Sequence, residues 1–152
     1  MSIFNGFNIS ASGLTSQRLR MDVAAANIAN TYTTRSTVNE NGDSVPYRRK
    51  MVQLSSKGSD FRTFLHKAKY GGTERAPHGV RVSQIVADQE PFKIVFDPTH
   101  PDANEEGYVQ YPNVDPLKEM VDIMGASRSY EANITALNGT KDILMKTLEI
   151  GK

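Results

Sequence analysis

Residues 115–150 read DPLKEMVDIMGASRSYEANITALNGTKDILMKTLEI, and two features of that stretch decide the fold class. It opens with Asp115-Pro116, a helix start. The carboxylate can accept from the free amides of the first turn, and proline costs nothing at the first helical position. It then keeps a seven-residue beat. Ile123, Tyr130, Leu137 and Leu144 form one row, and Met120, Ser127, Ile134, Lys141 and Leu148 form the row three residues before. That is the a/d spacing of a helix with an apolar seam. Lys146 and Lys152 sit near its end, where the helix dipole favours cations. About 34 helical residues would reach about 50 Å.

The other end of the chain repeats the design. Phe7, Leu14, Met21 and Ile28 are spaced by seven, preceded by the row Phe4, Ala11, Arg18 and Ala25, in which Arg18 is the polar intruder. About 27 helical residues would span about 40 Å. Neither helix has the make-up of a surface helix. Beside a seam one residue wide, the rest is small or uncharged: Ser12, Gly13, Ala24 to Ala26, Asn27, Ala29 and Asn30 at one end, Gly125, Ala126, Asn133, Asn138 and Gly139 at the other. Gly6, Gly13, Gly125 and Gly139 each cost up to about 1 kcal/mol of helix propensity. Small residues let helices approach closely, and amides can bond between them. The pattern leaves two readings open: an ordinary helical hairpin packed on the middle region, or helices that complete their burial against other copies.

Between the ends the composition changes. All seven prolines lie between Pro46 and Pro116, and most of the aromatic residues lie between Tyr47 and Tyr111, so the middle reads as strands and turns. Val80, Val82 and Val86 alternate with Arg81, Ser83 and Ile85. Past the turn-like Asp88-Gln89-Glu90-Pro91, the run Phe92, Ile94, Phe96 alternates again, which predicts a hairpin of 80–86 with 92–96. Residues 45–54 and 107–111 are two further strand candidates. Residues 55–79, rich in Gly, Ser and Lys, read as a mobile loop. The expected fold is α+β: long N- and C-terminal helices packed as a coiled-coil-like domain (1–34 and 115–152), with a small β-hairpin-rich middle region (35–114).

Composition narrows the function. The 152-residue chain has no cysteine, which removes disulfides, thiolate nucleophiles and sulfur-ligated metals. Val, Ile, Leu and Phe make up about 22% of it, just above the level at which a highly charged chain tends to disorder. With a net charge of +1, self-repulsion is not the difficulty; a shortage of core is. That balance gives no global reason to expect nucleic acid or an anionic membrane. No apolar run approaches a membrane span, and no apolar stretch before the first basic residue, Arg18, predicts a secretory signal peptide.

No catalytic constellation stands out. His66, His78 and His100 are separated and lie in loop-like sequence. The stretch Asp102, Asn104, Glu106, Gly107 partly imitates a calcium loop, but its twelfth position, where Glu belongs, is Asn113. No metal, cofactor or catalytic residue is expected, and an enzyme would need those histidines and acids to converge. Charge is unevenly placed. Arg48 to Arg81 holds nine basic and two acidic residues, and Asp88 to Glu106 holds six acidic and one basic. These are two solvated faces, or the positive face of one copy meeting the negative face of the next.

Several stretches together carry a resemblance. Ser10-Ala-Ser-Gly-Leu14 and Arg20-Met-Asp-Val-Ala-Ala-Ala-Asn-Ile-Ala-Asn30 resemble the amino-terminal signature of bacterial flagellar rod and hook proteins. Gly107-Tyr-Val-Gln-Tyr-Pro-Asn-Val-Asp115, Gly125-Ala-Ser-Arg-Ser-Tyr-Glu-Ala-Asn133 and the close from Leu144 to Lys152 resemble the carboxy-terminal signature of the proximal-rod members. Pro46-Tyr-Arg-Arg-Lys50 and Phe96-Asp-Pro-Thr-His-Pro-Asp102 fit the same family. Thr31-Tyr-Thr-Thr-Arg35 lacks the glycine that many hook and distal-rod relatives carry there, which favours the proximal rod. The resemblance implies a structural subunit of the flagellar drive shaft that crosses the periplasm, exported through the flagellum's own type III apparatus. The partners it implies are further copies, the rod proteins FlgB, FlgF and FlgG, the junction protein FliE and the export apparatus, with no nucleic acid and no small-molecule substrate. The expected assembly seams are Phe7, Leu14, Met21, Ile28, Ile123, Tyr130, Ile134, Leu137, Leu144 and Leu148. Arg18, Asn27, Asn30 and Asn133 are the expected interhelix or capping polar groups. The rival from another class is a soluble coiled-coil module that binds a different flagellar or export partner.

Overall fold

A computed structural model of the chain describes residues 4–38, 42, 44–57, 65, 68–69 and 79–150. Most of the expected mobile loop 55–79, with His66 and His78, lies outside them. Among the described residues the order is α1 (Asn5–Ala29), β1 (Thr37–Val38), β2 (Ser44–Val45), β3 (Lys50–Ser56), β4 (Val80–Ala87), β5 (Lys93–Phe96), β6 (Tyr108–Tyr111) and α2 (Pro116–Ile150). This is the expected α+β arrangement. The helices have 25 and 35 residues, lengths of about 38 and 52 Å. Asp115 caps α2 as its sequence suggests: the Leu117 amide donates to Asp115 Oδ1 at 3.0 Å. No helix among the described residues is long and apolar enough to cross a membrane.

The strands pair as β1–β2, β3–β4 and β5–β6. The hairpin expected between 80–86 and 92–96 does not form. Alternation showed that both stretches were strands but not which strand each would pair with. The turn between them is drawn to β3 instead: the Asp88 amide donates to the Arg49 carbonyl at 2.8 Å, and the Asp88 carboxylate meets the Arg49 guanidinium at 3.2 Å. That bond holds β4 along β3, and β5 turns away to pair antiparallel with β6, Lys93 opposite Tyr111 and Phe96 opposite Tyr108.

The chain divides into two compact units, Met1–Leu19 with Gln53–Gln84 and Gly125–Lys152, and Arg20–Val52 with Ile85–Met124. In the first unit, α1 and α2 meet along small residues. Gly6 faces Thr140, and Gly13 lies so close to Asn133 that a Cβ there would stand 2.8 Å from Asn133 Oδ1. The start of β4 docks on α1, its Val80 amide donating to Ser12 Oγ at 3.1 Å.

In the second unit, Val109, Val114 and Ala24 are buried with Tyr47, but the largest fully buried side chain is Glu119. The loop between β5 and β6 closes at Gly107, where φ is +82° and a Cβ would come within 3.0 Å of the Phe96 ring. Only glycine adopts this conformation without strain. Gly107→Ala is expected to cost about 1–2 kcal/mol, read as a lower urea midpoint of the purified chain.

Candidate functional site

The second unit is organised by buried polar groups. Asn27, 0% exposed, comes from the last turns of α1. Its Nδ2 donates to Glu119 Oε2 and to the Lys50 carbonyl, both at 2.9 Å. Its Oδ1 accepts from the Lys50 amide at 2.9 Å and the Tyr47 hydroxyl at 3.0 Å. An amide side chain has two donors and two acceptor sites, and all four are used. By bonding both backbone groups of Lys50, Asn27 behaves as a one-residue strand beside β3.

Arg49, just before β3, gathers the acids. Its Nε donates to Glu119 Oε1 at 2.6 Å, its Nη1 lies 3.2 Å from Asp88 Oδ2 and its Nη2 3.5 Å from Asp122 Oδ2. Its backbone amide donates to Asn113 Oδ1 at 2.9 Å, and Asn113 Nδ2 donates to the Glu90 carbonyl at 3.2 Å. The node thus joins α1, β3, the turn after β4, the segment after β6 and the first turns of α2. Burial works against the Arg49 charge, but the hydrogen bonds and charges of Glu119 and Asp88 outweigh it and raise its pKa above the ordinary value. The Asp88 carboxyl is held below its ordinary range by the Glu90 amide and then by Arg49. Burial raises the Tyr47 phenol, and the Glu119 charge adds to that.

At the edge of the same unit Asp102 takes the Thr34 hydroxyl at 2.7 Å and pairs with Arg35, whose hydrogen bond lowers its carboxyl. The stretch that imitates a calcium loop is therefore spent on internal bonds: Asn104 Oδ1 accepts from the Tyr108 amide at 2.7 Å. Among the described residues no group of three or more His, Asp or Glu is placed to hold a metal.

The polar residues singled out in the sequence take different parts. Asn27 joins the node. Asn30 finishes α1, donating to the Ala26 carbonyl at 2.8 Å and accepting from the Thr33 hydroxyl at 3.1 Å. Asn133 packs on Gly13 and donates back to the Ser129 carbonyl at 2.8 Å. Arg18 is exposed. Of the apolar rows, Leu14, Met21, Ile28, Ile123, Tyr130, Leu137 and Leu144 are half-buried, while Phe7, Ile134 and Leu148 are exposed. The residues that join the helices within the chain form other rows: Gly6, Gly13 and Asn27 on α1, against Thr140, Asn133 and Glu119 on α2. These rows also keep a multiple of seven. Small and polar residues give no hydrophobic signal, so the apolar rows do not include them; Gly13, Asn27 and Asn133 stood out by their small or amide character, and Thr140 and Glu119 did not stand out at all. Apolar periodicity also passed over Arg49, Asp88, Asn113 and Tyr47. Arg49 looked like one more member of the basic stretch.

Comparison with known proteins agrees with the two-ended design. Residues 7–35 match the family model described as flagella basal body rod protein, and residues 105–150 match that of the flagellar basal body rod FlgEFG protein C-terminal domain. The chain is 58% identical to the flagellar basal-body rod protein FlgC of Bacillus subtilis over 152 residues, all of both chains. It is 40% identical to FlgC of Salmonella typhimurium, again over the whole of both. To FlgC of Borreliella burgdorferi it is 38% identical, over 99% of this chain and 98% of the relative.

Removing one partner of a buried pair strands the other's charge. Arg49→Met is expected to cost about 3–5 kcal/mol, read from the urea midpoint of the full chain. Asn27→Ala leaves the Tyr47 hydroxyl and the Lys50 amide without their acceptor, and is expected to cost about 2–3 kcal/mol. Asp88 has a folded-state pKa below its unfolded value of 3.8. The stability it adds is therefore complete above the unfolded pKa and is lost as pH falls through the folded one. Between pH 6 and 3 the urea midpoint of Asp88→Asn should fall less steeply than that of the parent chain.

Proposed function

Because the chain belongs to the flagellar basal-body rod protein family, we propose that it builds the proximal part of the rod and carries torque through contacts between the terminal helices of stacked copies. It is a structural subunit of the basal-body rod. In the proposed arrangement the segments 1–34 and 115–152 form the inner part of the shaft and the middle region lies outside. Export through the flagellum's own apparatus delivers the subunit, and FlgB, FlgF, FlgG and FliE are its neighbours along the axis.

One observation carries this reading. Within the chain the helices join through Gly6, Gly13 and Asn27 against Thr140, Asn133 and Glu119, and the apolar rows remain half-buried or exposed. Large apolar side chains left outside on two long helices favour association. A shaft must turn without unwinding. Helices in contact with several copies at once resist sliding, because many contacts must break together. A subunit that passes a narrow channel also benefits from helices of low intrinsic stability that gain order on docking, at a cost drawn from the interface energy.

The seam side chains supply the test. Leu137→Asp places a charge on the inner row of α2 and should abolish incorporation into purified basal bodies and motility. The middle region should keep its amide dispersion in nuclear magnetic resonance spectra of the secreted subunit. Normal motility would exclude the seam.

A further inference from the structure

One face of α1 carries Arg18, Asp22, Ala25, Ala26 and Ala29, all exposed. Just beyond the helix stands Tyr32, 81% exposed. The corresponding face of α2 carries Leu117, 74% exposed, with Met120, Val121 and Met124, and then the exposed charges Arg128 and Glu131. One face is flat and small, the other bulky and apolar. None of Arg18, Asp22, Arg128 and Glu131 has an ion pair among the described residues.

We propose that these faces are the two halves of a contact between copies: the outer face of α1 in one copy lies antiparallel on the outer face of α2 in the next. This rests on the rod reading and names the surface it uses. Copies repeated along one axis keep a common direction, so α1 of one and α2 of its neighbour run oppositely, as Gly6 with Thr140 and Gly13 with Asn133 show the two helices doing within a chain. Charge then fixes the register. With Asp22 opposite Arg128, Arg18 meets Glu131. Met124 lies over Ala25 and Ala26, Met120 and Val121 lie over Ala29, and Leu117 meets Tyr32. A slip of one turn in one direction sets Arg18 against Arg128, and a slip in the other sets Asp22 against Glu131. Both oppose like charges. The alanines allow close approach, and the methionines adapt to the surface they cover. The two halves differ, so each copy that docks leaves one of each kind free, and the contact propagates as a helical array rather than closing as a dimer.

The test uses the full chain expressed in cells that lack it. Among the described residues Asp22 and Arg128 are exposed and have no ion pair, so reversing them leaves the described contacts of the subunit intact. Asp22→Arg and Arg128→Asp should each slow swarming about tenfold or more, and the two together should restore it. Because the chain has no cysteine, Ala29→Cys with Val121→Cys gives a second readout: oxidised basal bodies should yield a ladder of disulfide-linked copies. Parent-like swarming of both single variants, a double variant no better than either, or no ladder in basal bodies that contain the chain would overturn the docking face while leaving the rod reading in place. Absence of the parent chain from purified basal bodies would overturn the rod reading itself.

Discussion

The buried pair of Arg49 and Glu119, locked by the amide of Asn27, is the constraint on which the second unit depends. Glu119 is 2% exposed, and a carboxylate so placed is tolerable only when both oxygens are engaged. One meets Arg49 and the other meets Asn27. Those two residues come from the end of α1 and the start of β3, and Arg49 also holds Asp88 at the end of β4 and Asn113 after β6. Strands of two to eight residues in two-stranded sheets have little stability alone. Here the node fixes the start of β3, the turn after β4 and the segment after β6. Such a network is weak evidence of high stability, but a misplaced member leaves a buried charge without its partner, which penalises other arrangements.

The node also explains how so few apolar side chains suffice inside. The helices meet at glycine, threonine, asparagine and glutamate, and the leucines, isoleucines and methionines of the heptad rows are left half-buried or exposed. A chain with little core spends polar groups on its own fold and keeps apolar surface in hand for its neighbours. The glycines in both helices lower their stability in isolation, which suits the proposal that the subunit gains order on assembly.

Much of this was legible. The seven-residue beat and Asp115-Pro116 located both helices, and the signatures at the two ends located the family. β4 and β5 were visible by alternation and β3 and β6 fell on strand candidates, whereas β1 was not anticipated. The partner of each strand was not, because period-two patterning reports which faces are apolar and says nothing about which strand lies alongside. The hairpin expected at Asp88–Pro91 failed for that reason: Asp88 answers to Arg49, 39 residues earlier, and nothing local announces it. Asn27 was marked as an interhelix or capping group, and its four bonds lie in the node; Glu119, its partner, read only as one more charge on a helix.

Amide hydrogen exchange on the soluble chain tests the central claim most directly. If the node holds the monomer and the helix ends await neighbours, the amides of Arg49, Lys50 and Asp88, together with those of the last turns of α1 and the first turns of α2, exchange slowly. Residues 5–15 and 138–150 then exchange fast. Uniform protection along both helices, or rapid exchange at Arg49 and Lys50, would contradict the account.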